Sequence, residues 1–433
     1  MSPDTAAILG LIFLFMLMAL RMPVSFAMIL AGFLGNAWII STDAAIYMLA
    51  TNVWGQLSSY GLSVIPLFVL MGQLAFHSGI TERLYNAAYK WVGRLPGGLA
   101  GTTILSSAGF AAICGSNSAT SATMGTIALP EMKRYEYDAA LSTGSVAIGG
   151  TLGVVIPPSV VLIIIAVQTE QSITRLFIAS IVPGVILTLL FLVTVFWRCL
   201  RNPHLGPPGP RAAMREKLLS LSGAAEAMML FALVIGGLYA GWFTPTEAGA
   251  AGSFGALLIG LARRKLSKPD FFRAVAETIR ISAMVVLLIT GAVIFGRFLT
   301  VTRLPFELAD WAVSLHVPRE VILFVVLVIY LVGGCLMDAL GFLVVTIPIF
   351  FPLAQALGFD PVWYTVVITL VTTMGAVTPP VGVNVYIVSA LSPDVPIATI
   401  FRGVSIFLVA YVICLVLLML FPEMALYLPR SLM

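Results

Sequence analysis

The chain has 433 residues, 60% of them hydrophobic and only 10% charged, with a formal net charge of +4 and a mean hydropathy of +1.05. A water-soluble domain carries about 25% charged residues, so this chain cannot cover its surface with polar groups. Its basic residues lie in loops between apolar runs, which leaves no case for nucleic acid, and those runs lack the alternation of a transmembrane barrel.

The composition therefore predicts an all-α polytopic membrane protein. The N-terminus, Met1-Ser2-Pro3-Asp4, has no basic region and reads as the start of a first span, not as a cleaved signal. A spanning helix needs about 20 apolar residues. Such segments occur near 5–20, 24–40, 61–78, 98–131, 139–170 and 176–197, and again near 223–241, 244–261, 281–300, 320–352, 361–392 and 403–421. Between the two sets lies a polar linker, 198–222, carrying Arg198, Arg201, Arg211, Arg215 and Lys217. It divides the chain into a first half, 1–197, and a second, 223–433.

A shift of 222 residues superposes the halves. Pro130 falls on Pro352, Asp138 on Asp360, and the string Thr151-x-Gly153-x-Val155-x-Pro157-Pro158 on Thr373-x-Gly375-x-Val377-x-Pro379-Pro380. This pattern indicates an internal duplication. Residues 44–60 and their counterpart 266–282 place Ile46, Tyr47, Val53, Trp54 and Leu57, and Phe271, Phe272, Val275 and Ile279, along one helical face. Both read as amphipathic helices lying along the membrane surface.

Two segments in each half are too long for one crossing. Segment 98–131 would make about 50 Å of helix and is interrupted by the small polar run Cys114–Ser121, so it reads as a re-entrant hairpin. Segment 320–352 matches it, with Gly333–Asp338 at its middle. Segments 139–170 and 361–392 contain Gly153–Pro158 and Gly375–Pro380, and proline breaks a helix. Five crossings and one hairpin per half make the halves inverted-topology repeats. Of the 23 Lys and Arg residues, 18 then fall on one face and four on the other, with Arg297 inside a span. The positive-inside rule makes the first face cytoplasmic and places both termini outside.

Inverted repeats with paired mid-membrane breaks point to the site of a secondary transporter. Unpaired backbone groups in hydrocarbon cost several kcal/mol each, so a break persists where protein or a cavity uses it. Freed carbonyls suit a hard cation such as Na⁺, and half-helix N-termini suit an anion. Cys114–Ser121 is thus expected to pair with Gly153–Pro158 around one cation, and Gly333–Asp338 with Gly375–Pro380 around a second. Ser116, Asn117, Ser118, Thr120 and Asn384 are the polar side chains offered to a solute. Asp338 is the one acid placed deep in an apolar segment, which marks it for an ion or solute role. Arg297 could snorkel to the interface or meet a carboxylate. Cys114, Cys199, Cys335 and Cys414 form no metal spacing or disulfide framework, and no phosphate-binding loop is present.

The strings Phe110–Thr120, Gly149–Ser159, Leu336-Met337-Asp338 and Thr378–Asn384 resemble, over essentially the whole chain, the large membrane subunit of tripartite ATP-independent periplasmic (TRAP) transporters, the DctM-like family. Cys114 stands where the family pattern has serine. The resemblance implies Na⁺-driven import of an organic anion, often a carboxylate, across a bacterial inner membrane. It also implies two partners, a small four-helix membrane subunit and a periplasmic substrate-binding protein. Hairpins and broken helices would move as a block against a scaffold, an elevator-type fold. Carried onto this sequence, one Na⁺ site falls on Ala111, Cys114, Gly153, Ile156 and Pro158. The other falls on Gly333, Leu336, Gly375, Thr378 and Pro380, with Asp338 close by. Na⁺ is the coupling ion and no cofactor is implied. The competing readings are a stand-alone ion-coupled carrier or antiporter, needing no binding protein, and an integral membrane enzyme or assembly factor. The latter would want clustered His, Glu or Asp at one depth.

Overall fold

Gly, Pro, Ser and Asp punctuate the apolar runs into helices. The computed structural model describes residues 3–210 and 212–432; Met1, Ser2, Arg211 and Met433 lie outside the described residues, and with them part of the N-terminal and linker expectations. The first half opens with α1 (Pro3–Ala19), α2 (Val24–Ile39) and α3 (Thr42–Leu57). The Ser41 hydroxyl accepts the Ala44 N–H and caps α3. A 3₁₀ turn, Tyr60–Ser63, leads into α4 (Val64–His77), followed by α5 (Ile80–Val92), α6 (Gly98–Cys114), α7 (Asn117–Arg134), α8 (Ala139–Val155), α9 (Val160–Gln168) and α10 (Ile173–Arg201). The second half holds α11 (Met214–Phe231), a π turn (Ala232–Gly236), α12 (Gly237–Tyr239), α13 (Pro245–Ala262), α14 (Lys268–Val301), α15 (Leu304–Ser314), α16 (Arg319–Leu336), α17 (Ala339–Ala356), α18 (Pro361–Gly375), α19 (Val383–Leu391), α20 (Ile397–Leu420) and α21 (Glu423–Leu432). No strand occurs among the described residues.

Eight described helical segments are long and apolar enough to cross a membrane. The outer surface agrees with that solvent: Leu20, Trp54, Phe272 and Trp242 are 71%, 74%, 68% and 75% exposed. Such faces are unfavourable in water and suit an apolar surrounding. The molecule is a multi-pass membrane protein.

Each long segment is interrupted where the sequence carries its small or proline-rich run: at 115–116, 156–159, 337–338 and 376–382. Two local expectations need revision, and one helix is additional. Residues 266–282 are not a separate interfacial helix, because α14 runs unbroken through 34 residues, about 51 Å. The first half breaks at Ser58-Ser59-Tyr60-Gly61, whereas its counterpart, Arg280-Ile281-Ser282-Ala283, contains neither glycine nor proline and stays helical. The polar linker is shorter than 198–222, since α10 extends to Arg201 and α11 begins at Met214. The short helix α5 is additional. Ile80, Leu84 and Ala88 line its buried face at i, i+4, i+8, while Arg83 and Lys90 lie outside the core.

The two sequence halves interleave. α2 packs along α14 and α4 along α13, where the Ser253 hydroxyl donates to the Leu67 carbonyl at 2.6 Å. α8 and α18 form the centre of the other body, buried along almost their whole length. There α20 packs on α8, and the Trp363 indole N–H donates to the Leu418 carbonyl at 2.9 Å. Glu226 on α11 ties α5 to the end of α13, meeting Arg83 at 2.9 Å and the Arg263 Nε at 2.8 Å. Glu226 is only 13% exposed, so neutralising it strands two cations. Both arginines are partly exposed, which limits the loss: Glu226→Gln is expected to cost about 1 kcal/mol, read as a lowered midpoint in a detergent thermal melt.

Candidate functional site

The first hairpin and the first broken helix meet through glycine. Gly115 ends α6 at φ +66°, a left-handed position that favours glycine. A Cβ there would stand 2.5 Å from the Pro158 carbonyl oxygen. A Cβ on Gly153 would overlap the Ser116 carbonyl oxygen and stand 2.7 Å from the Thr120 hydroxyl. The Val160 N–H donates to the Gly115 carbonyl at 3.2 Å, locking tip to break. A helical carbonyl takes the N–H four residues ahead, and for Gly153 and Val154 those residues are Pro157 and Pro158, which have none. The break thus leaves buried carbonyls beside the tip without their helical N–H donors, the oxygen type a hard cation takes.

The second junction is built alike but is tied up more fully. A Cβ on Gly375 would stand 2.6 Å from the Gly334 carbonyl carbon and from the Leu331 oxygen. Here the break's own amides take the carbonyls: Val381 and Gly382 both donate to Cys335 at 3.2 Å, Thr378 to Gly375 at 2.9 Å, and Asn384 to Ala376 at 3.1 Å. The Thr378 hydroxyl donates to the Met374 carbonyl at 2.8 Å. Leu336, Pro379 and Pro380 are exposed, whereas Ala111, Cys114, Gly153 and Pro158 are buried.

A cavity of about 380 Å³ lies beside the first junction. Cys114 to Ala119 of the hairpin line one side, and Val154, Val160 and Val161 of the broken helix the next. Asp338 and Leu340 come from the second hairpin, and Gln73 of α4 with Ile281 and Met284 of α14 complete the wall. Three helix N-termini open onto this space. Ser116 caps α7 by accepting the Ala119 N–H at 3.4 Å, Ser159 caps α9 through Leu162 at 3.4 Å, and Asp338 caps α17 through Leu340 at 3.1 Å. Each N-terminus carries about half a positive charge, which favours an anion at α7 and α9, while at α17 the Asp338 carboxylate already takes that place. Asn117 is 6% exposed. Its amide oxygen accepts the Ser118 N–H at 2.8 Å, and its Nδ2 has no partner among the described residues. That leaves a donor for a carboxylate oxygen.

The family model described as the tripartite ATP-independent periplasmic transporter, DctM component, matches residues 11–424. The chain belongs to that family. Among its relatives, the C4-dicarboxylate TRAP transporter large permease protein DctM of Pseudomonas aeruginosa is 33% identical over 393 residues, covering 90% of this chain and 91% of the relative. The sialic acid TRAP transporter large permease protein SiaM of Vibrio cholerae is 33% identical over 411 residues, covering 94% and 95%. A solved structure, that of the YdaH transporter of Alcanivorax borkumensis, matches with a TM-score of 0.60 at 15% identity over 88% of this chain and 90% of that one. It shares the fold. The chain is therefore a permease subunit of a TRAP transporter and not an enzyme.

In this TRAP permease the expected residues divide. Cys114, Ser116, Asn117, Ser118 and Asp338 line the one cavity. Ala111 accepts the Gly115 N–H at 3.1 Å at the end of α6, and the Ile156 N–H donates to Leu152 at 2.9 Å where α8 ends. Thr120 lies outside the cavity; its hydroxyl donates to the Ser116 carbonyl at 2.7 Å and braces the tip. Asn384 is fully buried and donates its amide to the Ala147 carbonyl at 3.3 Å, joining the second broken helix to the first. Gly333 and Leu336 sit at the end of α16, where the Met337 N–H donates to the Gly333 carbonyl at 3.0 Å. Gln73, which sequence reasoning did not single out, lines the cavity from α4. Its one available signal was a carboxamide in the middle of an apolar helix.

Proposed function

We propose that this permease imports an organic anion, coupled to Na⁺, through the cavity between the first hairpin junction and α14. The observation that carries the reading is the convergence of three helix N-termini on a cavity beside carbonyls that the proline break leaves without helical donors. The N-termini suit a carboxylate, and the carbonyls of Gly153 and Val154 suit a hard cation. Asp338 makes the two interdependent: an anionic solute entering a cavity that already holds a carboxylate is repelled unless a cation accompanies it. The named relatives carry C4-dicarboxylates and sialic acid, all anionic, which supports the same solute class. Of the two cation sites, the first is the stronger, because the amides of the second break already take its carbonyls.

The remaining parts of the reading come from family membership. A periplasmic substrate-binding protein delivers the solute, a small four-helix subunit completes the membrane complex, and the complex sits in a bacterial inner membrane with both termini of this chain outside. Residues 1–197 and 223–433 act as two inverted repeats, and the hairpins with the broken helices travel as an elevator block against α2, α4, α13 and α14. The test is solute uptake into vesicles containing this chain and its small subunit, with binding protein outside. Uptake driven by an inward Na⁺ gradient and absent with K⁺ is expected; uptake indifferent to Na⁺ overturns the coupling. Cys114→Ser should leave that uptake unchanged, since a cation at this tip is held by backbone oxygen. A changed Na⁺ dependence of the variant would instead assign the side chain to the ion.

A further inference from the structure

A second polar cavity, about 510 Å³, lies on the same seam between α14 and the block of α9 and α17. On α14 it is reached from Ile289 to Thr300, whereas the first cavity touches Ile281 to Val285. Met284 and Arg297 are 13 residues apart, about 20 Å along the helix. Its lining is mixed: Ile289, Val293, Ile347 and Phe351 are apolar, while Gln56, Gln168, Thr169 and Thr300 are polar. Arg297 stands in that wall one turn inside the end of α14, and no carboxylate among the described residues lies within ion-pair distance of it. Thr300 is beside it, and Glu170, just beyond α9, lines the opposite side.

The backbone explains why the far wall is polar. Pro348 has no N–H to give the Val344 carbonyl, and the Gln168 side chain approaches that carbonyl instead, at 3.5 Å. Its buried Oε1 has no partner among the described residues. Arg297, Thr300 and Glu170 are all exposed, so the guanidinium is open to a solute, and its planar fork matches a carboxylate in two hydrogen bonds.

We infer that this cavity is a second anion site, distinct from the hairpin-tip cavity, in which Arg297 holds a carboxylate and Glu170 weakens that hold. The solute class rests on the function proposed above, but the site does not depend on coupling to Na⁺. Its affinity is set by the opposed charges of Arg297 and Glu170 across the cavity. A solute moving along the seam therefore meets a carboxylate-binding position at each end.

The test uses the full chain in detergent with Thr300→Cys as reporter, the four native cysteines being buried. An anionic methanethiosulfonate labels the reporter, and succinate is the probe, at matched ionic strength. Succinate is expected to slow labelling at least about five-fold, which is about 1 kcal/mol of protection. Added Arg297→Gln should abolish the protection, Arg297→Lys should keep part of it, and Glu170→Gln should shift it to lower succinate. Labelling by uncharged N-ethylmaleimide at an unchanged rate shows that each variant keeps the cavity. Equal labelling with and without succinate overturns the inference, as does protection that survives Arg297→Gln. If Arg297 and Glu170 instead form a latch, both neutral variants move labelling in the same direction, which also overturns it. None of these readouts requires transport, so their failure is separable from failure of Na⁺-driven uptake.

Discussion

Replacing Gly153 with alanine is expected to abolish Na⁺-driven uptake while leaving the helical content and the assembled complex intact. Alanine is the better helix former by about 1 kcal/mol, so α8 itself should gain. The loss comes from the added methyl, which has no room between α8 and the Ser116 carbonyl. That neighbour is backbone, held by the Thr120 N–H at 3.0 Å and the Thr120 hydroxyl at 2.7 Å, and it cannot swing aside as a side chain would. The hairpin tip must therefore move off the break. A shift of about 1 Å at a site of fixed geometry costs about 100-fold, and uptake should fall by at least that much. Gly55→Ala in α3 is the matched control: a Cβ there meets nothing within 4 Å, and uptake should be unchanged. Full activity in Gly153→Ala would mean that tip and break need not touch.

Asp338→Asn should have the next largest effect, and in a specific direction. Asparagine caps a helix about as well as aspartate, so α17 keeps its bond to the Leu340 N–H. What changes is the charge facing the cavity. Two like charges about 6 Å apart, at an effective dielectric of about 20, repel by about 3 kcal/mol, which corresponds to about 100-fold in affinity. The variant is expected to bind solute more tightly without Na⁺ and to lose most of its stimulation by Na⁺. Solute binding titrated in Na⁺ and in K⁺ reads both effects. An unchanged ratio between the two salts would remove Asp338 from the coupling. Asp338→Ala removes the cap as well and should be less stable by about 1 kcal/mol, which separates charge from structure.

Much of this was legible in the sequence because proline and glycine act locally. Pro157-Pro158 and Pro379-Pro380 force breaks whatever surrounds them, and Gly115, at φ +66°, ends α6 in the middle of an apolar run of 34 residues. The unpredicted parts depend on neighbours or on length. α5 has a plain i, i+4, i+8 stripe, but at 13 residues it falls below any spanning length and passes unnoticed in a search for spans. The continuity of α14 is not visible from the repeat, because residues 266–282 match the first half's 44–60 in apolar pattern but are directly followed by no glycine or proline.

Site chemistry was legible by segment and less so by side chain. Ser116, Asn117 and Ser118 stand at the tip and reach the cavity. Asn384 reads equally polar and is buried, its Nδ2 donating to the Ala147 carbonyl and its Oδ1 without a partner among the described residues, a placement that sequence does not supply. That Ser116, Ser159 and Asp338 each cap a helix can be read from their positions. That α7, α9 and α17 open onto one space is a tertiary fact.

The most direct measurement is equilibrium binding of radioactive Na⁺ to the purified complex of this chain with its small subunit, with no solute present. The wild-type complex is expected to bind Na⁺ saturably, undisplaced by K⁺, and Gly153→Ala to lose that binding while Gly55→Ala keeps it. Absence of saturable Na⁺ binding in the wild type, or equal binding in Gly153→Ala, would contradict the assignment of the first hairpin junction as a cation site.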